Sequence, residues 1–322
     1  MRILLSRTDS IGDVILTLPM AGVLRESLPD VQVDFLGRAY TKPVVEKCAF
    51  ISNFYDWDQI QNQSIPADCI IHVFPKSAIS RWAKKQRIPQ RIGTSHRVFH
   101  WLSCNRLINL GRKNSDLHEA QLNLKLLAPL VKNNNLSLDQ ISSYYGWKPA
   151  QKPQSEFSHF FAHDKFNLLL HPKSQGSAKE WPLANYYHLA QQLSPSNTRV
   201  IVTGTEAEEN LLKTECAELF ELPNVVDATG AFTLSEYIDF IWHADGLVAC
   251  STGPLHIAAA SGINCLGLYA NTRPIHAGRW GPVGKKATFI ESDAPQNSAT
   301  LAGILVDEVL AIVQEWIGKD KR

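Results

Sequence analysis

One short stretch, residues 245–260, most constrains what this chain can fold into. It opens as a short apolar run, which is typical of a fully buried strand. Ser251 and Thr252 follow and can cap a helix, and Pro254 suits the first helical turn because a missing N–H costs nothing there. The stretch therefore predicts a strand, a tight turn and a helix N-terminus, which together favour an anion such as a diphosphate. His256 would lie in the first turn, beside that anion.

The same alternation of apolar runs with helical stretches recurs along the chain. Strands are expected near residues 3–5, 31–36 and 69–73, and a second series begins near residue 167. Strands separated by helices need crossover connections, so we predict an α/β fold with mainly parallel sheets. At 322 residues the chain exceeds the usual size of one domain. We therefore expect two domains, residues 1–150 and 159–300, with a linker in the polar segment 132–158.

Asp13 stands where the first helix, predicted over residues 13–28, is expected to begin, just past the first strand. The helix dipole favours a carboxylate there, so this residue could simply stabilise the helix. Sites in open α/β sheets, however, form outside the carboxyl ends of the strands. Both interpretations of Asp13, a stabilising charge and a group that faces a site, stay open on spacing alone.

Residues 76–115 contain ten lysines and arginines and no acidic residue. Such a block cannot neutralise itself locally and should present positive potential. A solvated basic face is one interpretation, whereas nucleic acid fits poorly because no recognised binding motif accompanies the block and the net charge is only +1. An anionic lipid surface or an anionic acceptor fits better, because Trp82, Phe99 and Trp101 are interleaved with the charges. Residues 97–102 are the part that we expect nearest a membrane.

Several classes of protein are disfavoured by motifs that the sequence lacks. It has no Gly-x-Gly-x-x-Gly after the first strand, no phosphate-binding Gly-x-x-x-x-Gly-Lys-Ser/Thr and no Gly-x-Ser-x-Gly, which argues against NAD-dependent redox chemistry, ATPase action and a serine hydrolase. The six cysteines are scattered without a Cys-x-x-Cys pair, which favours buried thiols in a reducing compartment over a zinc site. No segment approaches the roughly 20 apolar residues of a membrane span, and the three apolar residues before Ser6 are too few for the core of a signal peptide. We expect a cytoplasmic protein.

Three dispersed motifs, in the correct order, resemble the bacterial lipopolysaccharide heptosyltransferase family, glycosyltransferase family 9. They lie at residues 7–13, at residues 179–182 and at residues 251–262. The resemblance implies the GT-B architecture, in which two Rossmann-like domains face a central cleft. It assigns the acceptor to the N-terminal domain and the nucleotide sugar to the C-terminal domain. It also implies that the final helix, within residues 301–322, packs back on the N-terminal domain.

The resemblance also implies roles for individual residues. Asp13 is the expected general base that deprotonates an acceptor hydroxyl. Lys179 is expected to bind the donor phosphate with Ser174 nearby, and Glu206 or Glu208 to meet the ribose, although Glu206 could equally cap a helix. The remaining expected donor contacts are Ser251, Thr252, Gly253, Pro254, Leu255 and His256. The expected acceptor contacts are Gly12 and His118, together with Arg91, Arg97 and Arg106 of the basic block, although the helix at His118 could also be a capped helix without chemistry.

These roles together predict inverting transfer of heptose from ADP-heptose onto an anionic glycolipid, the lipopolysaccharide inner core. No cofactor is implied, and no metal, because the candidate segments lack an Asp-x-Asp pair and lysine and helix amides can supply the positive charge. We expect a monomer that contacts the inner membrane peripherally. A catalytically silent nucleotide-sugar or glycolipid binding protein and a GT-B-like nucleotide-sugar epimerase are the alternatives. Ser251 stands where the family often has Asp, and residues 269–274 replace a more usual turn, so the sequence supports glycosyl transfer better than heptose.

Overall fold

The computed structural model describes residues 1–150, 155–295 and 300–319. The chain divides into two compact units, Met1–Lys148 and Pro149–Arg322. The boundary falls inside the polar segment in which we expected the linker, although residues 151–154 of that segment lie outside the described residues. Residues 320–322 of the predicted final helix also lie outside them.

The first unit is built on a parallel sheet. Its strands are β1 (Arg2–Ser6), β2 (Gln32–Gly37), β3 (Ile51–Asp56), β4 (Cys69–His72), β5 (Gln90–Thr94) and β6 (Arg106–Ile108). Its helices are α1 (Ile11–Ile15), α2 (Pro19–Ser27), α3 (Lys42–Glu46), α4 (Trp57–Ile60), α5 (Ser77–Lys85), α6 (Val98–Ser103), α7 (Glu119–Lys125) and α8 (Leu138–Ser142), with a 3-10 helix at Ala39–Thr41. The strand order is β3-β2-β1-β4-β5-β6, and every pairing is parallel.

The second unit repeats this plan. Its strands are β7 (Phe166–His171), β8 (Thr198–Val202), β9 (Val225–Asp227), β10 (Gly246–Cys250), β11 (Asn264–Tyr269) and β12 (Ala287–Glu291). Its helices are α9 (Leu183–Gln192), α10 (Glu206–Glu215), α11 (Leu234–Trp242), α12 (Gly253–Ser261), α13 (Ala277–Trp280) and α14 (Val306–Lys319), with 3-10 helices at Ser155–Phe160 and Ala217–Glu221. The strand order is β12-β11-β10-β7-β8-β9, again with parallel pairing throughout. The predicted α/β class with parallel sheets is confirmed.

The first helical stretch differs from the sequence prediction. We expected one helix over residues 13–28, but the structure has two, α1 and α2, separated by a turn. Pro19 occupies the first turn of α2, where its missing N–H costs nothing. The same residue could not continue α1, because proline has no N–H for the intrahelical bond and its ring clashes with the preceding turn. Asp13 therefore lies in the short helix α1, which begins directly after the loop that follows β1.

Helix α14 belongs to the second unit. Val309 and Val313, which are one turn apart, are fully buried in the same core cluster as Leu168 of β7 and Trp181. Trp316 lies against Gly246, the first residue of β10. The buried face of α14 thus belongs to the core of its own unit, and the expectation that the final helix packs back on the N-terminal domain stays a prediction.

None of the helices described within residues 1–150, 155–295 and 300–319 is both long enough and apolar enough to cross a bilayer.

Candidate active site

Each sheet reverses its strand order at one place. In the first unit, β1 lies beside β4 with Ser6 level with His72. In the second, β7 lies beside β10 with His171 level with Ala249. Ligands of open α/β sheets bind outside the carboxyl ends of the strands at such a point. The loop that leads to Asp13 begins at the first of these points.

A buried arginine fixes the orientation of Asp13. Arg7, which is only 3% exposed, donates from Nη2 to Asp13. Its Nε donates to Asp9 Oδ1 at 2.7 Å, and its Nη1 donates to Glu119 Oε1 at 2.9 Å. The Ser10 hydroxyl donates to the other carboxylate oxygen of Asp13. Asp13 is thus held at both oxygens while it remains partly open to solvent.

Helix α7 supports this arginine from the other side. Glu119, in its first turn, is 1% exposed and also accepts a hydrogen bond from Arg112. Asn123, one turn later, accepts from Arg112 Nη2 at 3.0 Å and donates to the Leu16 carbonyl at 3.0 Å. Leu16 caps α1 at its C-terminal end. The position of Asp13 therefore depends on residues more than a hundred positions later, whose supporting role the sequence did not indicate.

The charged groups around Arg7 shift one another's pKa values. Burial disfavours the charge of Arg7, but Asp9, Asp13 and Glu119 outweigh it and raise the pKa of Arg7. Burial also raises the pKa of Asp9 to about 6, and the neighbouring Asp13 charge adds to this, although Arg7 acts in the opposite direction. Arg7 is thus held as a permanent cation beside Asp13.

The predicted acceptor contacts differ in their exposure. Gly12 lies in α1 beside Asp13, and Arg97 and Arg106 are exposed. Arg91 is half-buried, and its guanidinium donates to the Ser103 carbonyl at 2.6 Å and to the Ile88 carbonyl, so its acceptor role stays a prediction. Through these bonds Arg91 joins the end of α6 to the segment before β5.

His118 has a structural role at the start of α7, and its acceptor role stays a prediction. It is 2% exposed and precedes α7 as its N-cap residue, where Nδ1 accepts from the Ala120 amide at 3.2 Å. The Gln121 side chain completes the capping box by accepting from the His118 amide. The alternative of a capped helix is therefore the one that the structure supports.

In the second unit, α12 begins directly after β10, as predicted, but without the predicted side-chain caps. Thr252 is the N-cap residue, yet its hydroxyl donates to the Cys250 carbonyl at 3.2 Å. Ser251 is half-buried and does not cap the helix either. Within the described part of the chain, no side chain caps α12. This leaves its N-terminal end suited to an external anion.

The other residues of the α12 motif divide between surface and core. Gly253 and Pro254 are half-buried in the first turn, whereas His256 is 4% exposed. Leu255 is fully buried and packs close to Gly267 of β11, where a Cβ would lie 2.8 Å from a Leu255 methyl group. The Leu255 side chain is therefore a core residue, and only its backbone amide can contribute to an anion site.

Two lysines in the loop after β7, Lys173 and Lys179, differ in their ion-pair partners. Lys173 Nζ lies 2.7 Å from Glu215 Oε2 and 3.4 Å from Glu180 Oε2. Lys179 is exposed and forms no ion pair within the described residues. The Ser174 amide and hydroxyl both donate to Glu180 Oε1 at 2.8 Å. Ser174 thus shapes this loop, and Lys179 is the residue whose charge remains available to an anion.

The structure distinguishes the two candidate glutamates. Glu208 is 3% exposed and accepts from the Thr205 amide at 2.7 Å, while the Thr205 hydroxyl caps α10. Glu206 is exposed in the first turn of the same helix. Of the two glutamates, Glu208 is therefore the one that completes the capping box with Thr205, and the alternative of a capping role for Glu206 is not supported.

A buried polar group at the end of β7 was not predicted. His171 Nδ1 lies 3.1 Å from Thr203 Oγ1 and 3.2 Å from the Tyr237 hydroxyl, and Thr203 Oγ1 lies 2.6 Å from that hydroxyl. Burial lowers the pKa of His171. The position of Thr203, directly after β8, is the signal by which the sequence could have indicated this group.

Among the described residues, no group of three or more histidines, cysteines, aspartates and glutamates has the arrangement of a metal site.

Residues 74–302 match the family model described as glycosyltransferase family 9 (heptosyltransferase). The chain belongs to glycosyltransferase family 9. A Haemophilus influenzae protein provisionally named a glycosyltransferase is 26% identical over 98% of this chain and 96% of its own length. Lipopolysaccharide heptosyltransferase 3 of Escherichia coli is 22% identical over 84% of this chain and 83% of its own. The solved structure of Escherichia coli ADP-heptose LPS heptosyltransferase II, at 17% identity, covers 100% of both chains with a TM-score of 0.76.

These comparisons confirm the predicted family and the GT-B class of fold. This family 9 member is accordingly a glycosyltransferase of the heptosyltransferase type. The roles of its individual residues are proposals, for which the geometry above supplies the argument.

Proposed function

We propose that this protein transfers heptose from ADP-heptose to a lipopolysaccharide inner-core acceptor with inversion, and that Asp13 is the general base. The observation that carries the proposal is the carboxylate of Asp13, held by Arg7 and Ser10 just past the strand-order reversal of the first sheet. Family membership supplies the reaction class, and the names of the heptosyltransferase relatives suggest the sugar and the acceptor.

In the proposed step, the acceptor oxygen bonds to the anomeric carbon while the bond from that carbon to the diphosphate breaks. The acceptor proton passes to Asp13, which Arg7 keeps correctly oriented. The leaving diphosphate gains negative charge, which the N-terminal amides of α12 and the Lys179 ammonium would stabilise. These groups would supply the positive charge without a divalent cation. The acceptor would be met at the cytoplasmic face of the inner membrane.

One assay separates this proposal from its alternatives. Labelled ADP-heptose is incubated with the protein in the presence and absence of a truncated inner-core acceptor. Label on the acceptor supports transfer, and inverted configuration at the new bond supports the stereochemistry. Donor binding without turnover would indicate a silent binding protein, and conversion of the donor without acceptor would indicate an epimerase.

Lys179→Ala is expected to weaken ADP binding by roughly 10- to 100-fold, since a hydrogen bond to a charged group contributes about 1.5–3 kcal/mol. Isothermal titration calorimetry with ADP measures the change. Lys286→Ala, at another exposed lysine of the same unit, is the matched control and should leave the affinity unchanged. Equal affinities for the wild type and Lys179→Ala would show that Lys179 is only a solvated surface charge.

The pair Glu206→Ala and Glu208→Ala tests which glutamate meets the ribose. Glu206→Ala should weaken ADP binding by about tenfold or more without changing stability, because the residue is exposed and caps nothing. Glu208→Ala should lower the free energy of unfolding by about 0.5–2 kcal/mol, the usual cost of a lost cap. Calorimetry and urea unfolding give the two quantities. Wild-type ADP affinity in Glu206→Ala would remove that residue from the donor site.

A further inference from the structure

Helix α6 turns its apolar residues outward. Val98, Trp101 and Leu102 are 70%, 62% and 73% exposed, respectively. They are spaced i, i+3 and i+4, so they share one face of the helix. The polar residues His100 and Ser103 are buried instead, at 0% and 3% exposure. This is the reverse of the pattern in an ordinary surface helix, whose apolar stripe faces the core.

Buried contacts fix this orientation. His100 Nδ1 lies 3.0 Å from the Thr94 carbonyl oxygen, and Gly93 leaves the space for its ring, since a Cβ there would lie 2.6 Å from Nδ1. The Lys84 ammonium donates to the Leu102 carbonyl at 2.8 Å and so closes the C-terminal end of the helix. Rotation of α6 to bury its apolar face would break these contacts. The exposed stripe is therefore a built feature of the fold.

The surroundings of this stripe are positively charged. Helix α5 packs against α6 and exposes three basic residues, and Arg97 and Arg106 are exposed on either side of α6 in sequence. Leu107, beside Arg106 on the edge strand β6, is also 41% exposed. The exposed basic residues of α5 are Arg81, Lys84 and Lys85. Since residues 76–115 include no acid, no carboxylate of this segment offsets these charges.

We propose that the α6 surface, formed by Val98, Trp101 and Leu102 with Arg97 and Arg106, docks on an anionic lipid bilayer. Apolar side chains would enter the headgroup boundary while the arginines meet lipid phosphates. Trp101 suits this role because its Nε1 donates to the Ser95 carbonyl at 2.7 Å, so its one polar hydrogen already has a partner. The inference rests on the proposed function, in which the acceptor is a glycolipid of the membrane.

The test uses the full chain and sedimentation with vesicles made of equal parts phosphatidylglycerol and phosphatidylcholine. The double variant Val98→Ser/Leu102→Ser should reduce binding by roughly tenfold or more, because two exposed apolar side chains lose their transfer into the interface. Leu211→Ser/Phe289→Ser, at two exposed apolar residues of the second unit, is the matched control and should bind as the wild type does. Vesicles of phosphatidylcholine alone should bind the wild type weakly, since they lack the net negative charge that attracts basic side chains.

Equal vesicle binding by Val98→Ser/Leu102→Ser and the wild type would overturn the proposal. The proposal would also fail if the wild type were a dimer and the double variant a monomer, because a second copy of the chain would then cover the α6 surface. Sedimentation equilibrium without vesicles decides this point.

Two acceptors separate failure of docking from failure of the proposed function. Transfer to a lipid-free core oligosaccharide should be the same in the wild type and in Val98→Ser/Leu102→Ser, whereas transfer to an acceptor embedded in anionic vesicles should fall in the variant. If the wild type binds vesicles through the α6 surface but transfers heptose to neither acceptor, docking stands and the proposed reaction is wrong. If it transfers to both and the double variant matches it on vesicles, the reaction stands and docking is wrong.

Discussion

Asp13→Asn is expected to lower the turnover number of heptosyl transfer by about 10²–10⁴, the range that general-base catalysis contributes. The amide oxygen can still accept the hydrogen bond from Arg7, so the side chain should keep its place while it loses the ability to take a proton. Steady-state kinetics with ADP-heptose and a truncated core acceptor measure the change. ADP affinity should stay unchanged, because every residue that we assign to the donor lies in the second unit.

Asp9→Asn is the matched control for this prediction. It removes the same charge from the same arginine, yet Asp9 is not the proposed base. A much smaller loss of turnover in Asp9→Asn would support proton transfer to Asp13. Equal losses in the two variants would attribute the effect to the charge of the cluster, and a near-normal rate in Asp13→Asn would remove Asp13 from the mechanism.

Arg7→Met should lower the free energy of unfolding of the first unit by about 3–5 kcal/mol, the usual cost of removing one partner from a buried ion pair. Arg7 is 3% exposed, and its loss leaves Asp9, Asp13 and Glu119 without their shared cation. Native-state hydrogen exchange in β1 and β4 at increasing urea reports the stability of this unit separately from the other.

The control is Arg38→Met, an exposed arginine in the same unit, which should change stability by no more than about 0.5 kcal/mol. A loss below about 1 kcal/mol in Arg7→Met would contradict the prediction. It would mean that Arg112 compensates the buried Glu119 carboxylate without Arg7.

The sequence predicted the fold class because apolar runs and helical segments are local patterns. The position of Asp13 followed from the same patterns, since a residue just past a strand end lies at the sheet edge where sites form. The contact between Arg7 and Glu119 could not be predicted in this way, because it joins positions separated by 112 residues. Spacing along the chain carries no signal for such a pair.

The basic block shows a second limit of local patterns. Counted along the sequence, Arg91 and Arg112 resemble the other lysines and arginines of residues 76–115. In the fold they satisfy backbone carbonyls and a buried glutamate, so their charge serves the structure. The role of Glu208, by contrast, was recoverable, because Thr205 followed by Glu208 is the pattern of a capping box. Applied to residues 205–208, the capping-box rule assigns the capping role to Glu208 and leaves Glu206 without one.

The burial of α14 in the second unit bears on how such enzymes can diversify. Each of the two core clusters described draws its members from one unit. The last helix, α14, completes the cluster of the second unit, in which we place the donor residues. That half therefore carries its own closing element on the C-terminal side of the polar segment near residue 148. Genetic exchange at this segment would transfer the second-unit cluster whole and, under the roles that we propose, join its donor residues to a new acceptor-binding unit. Acceptor preference could then change across lineages while the donor stays the same.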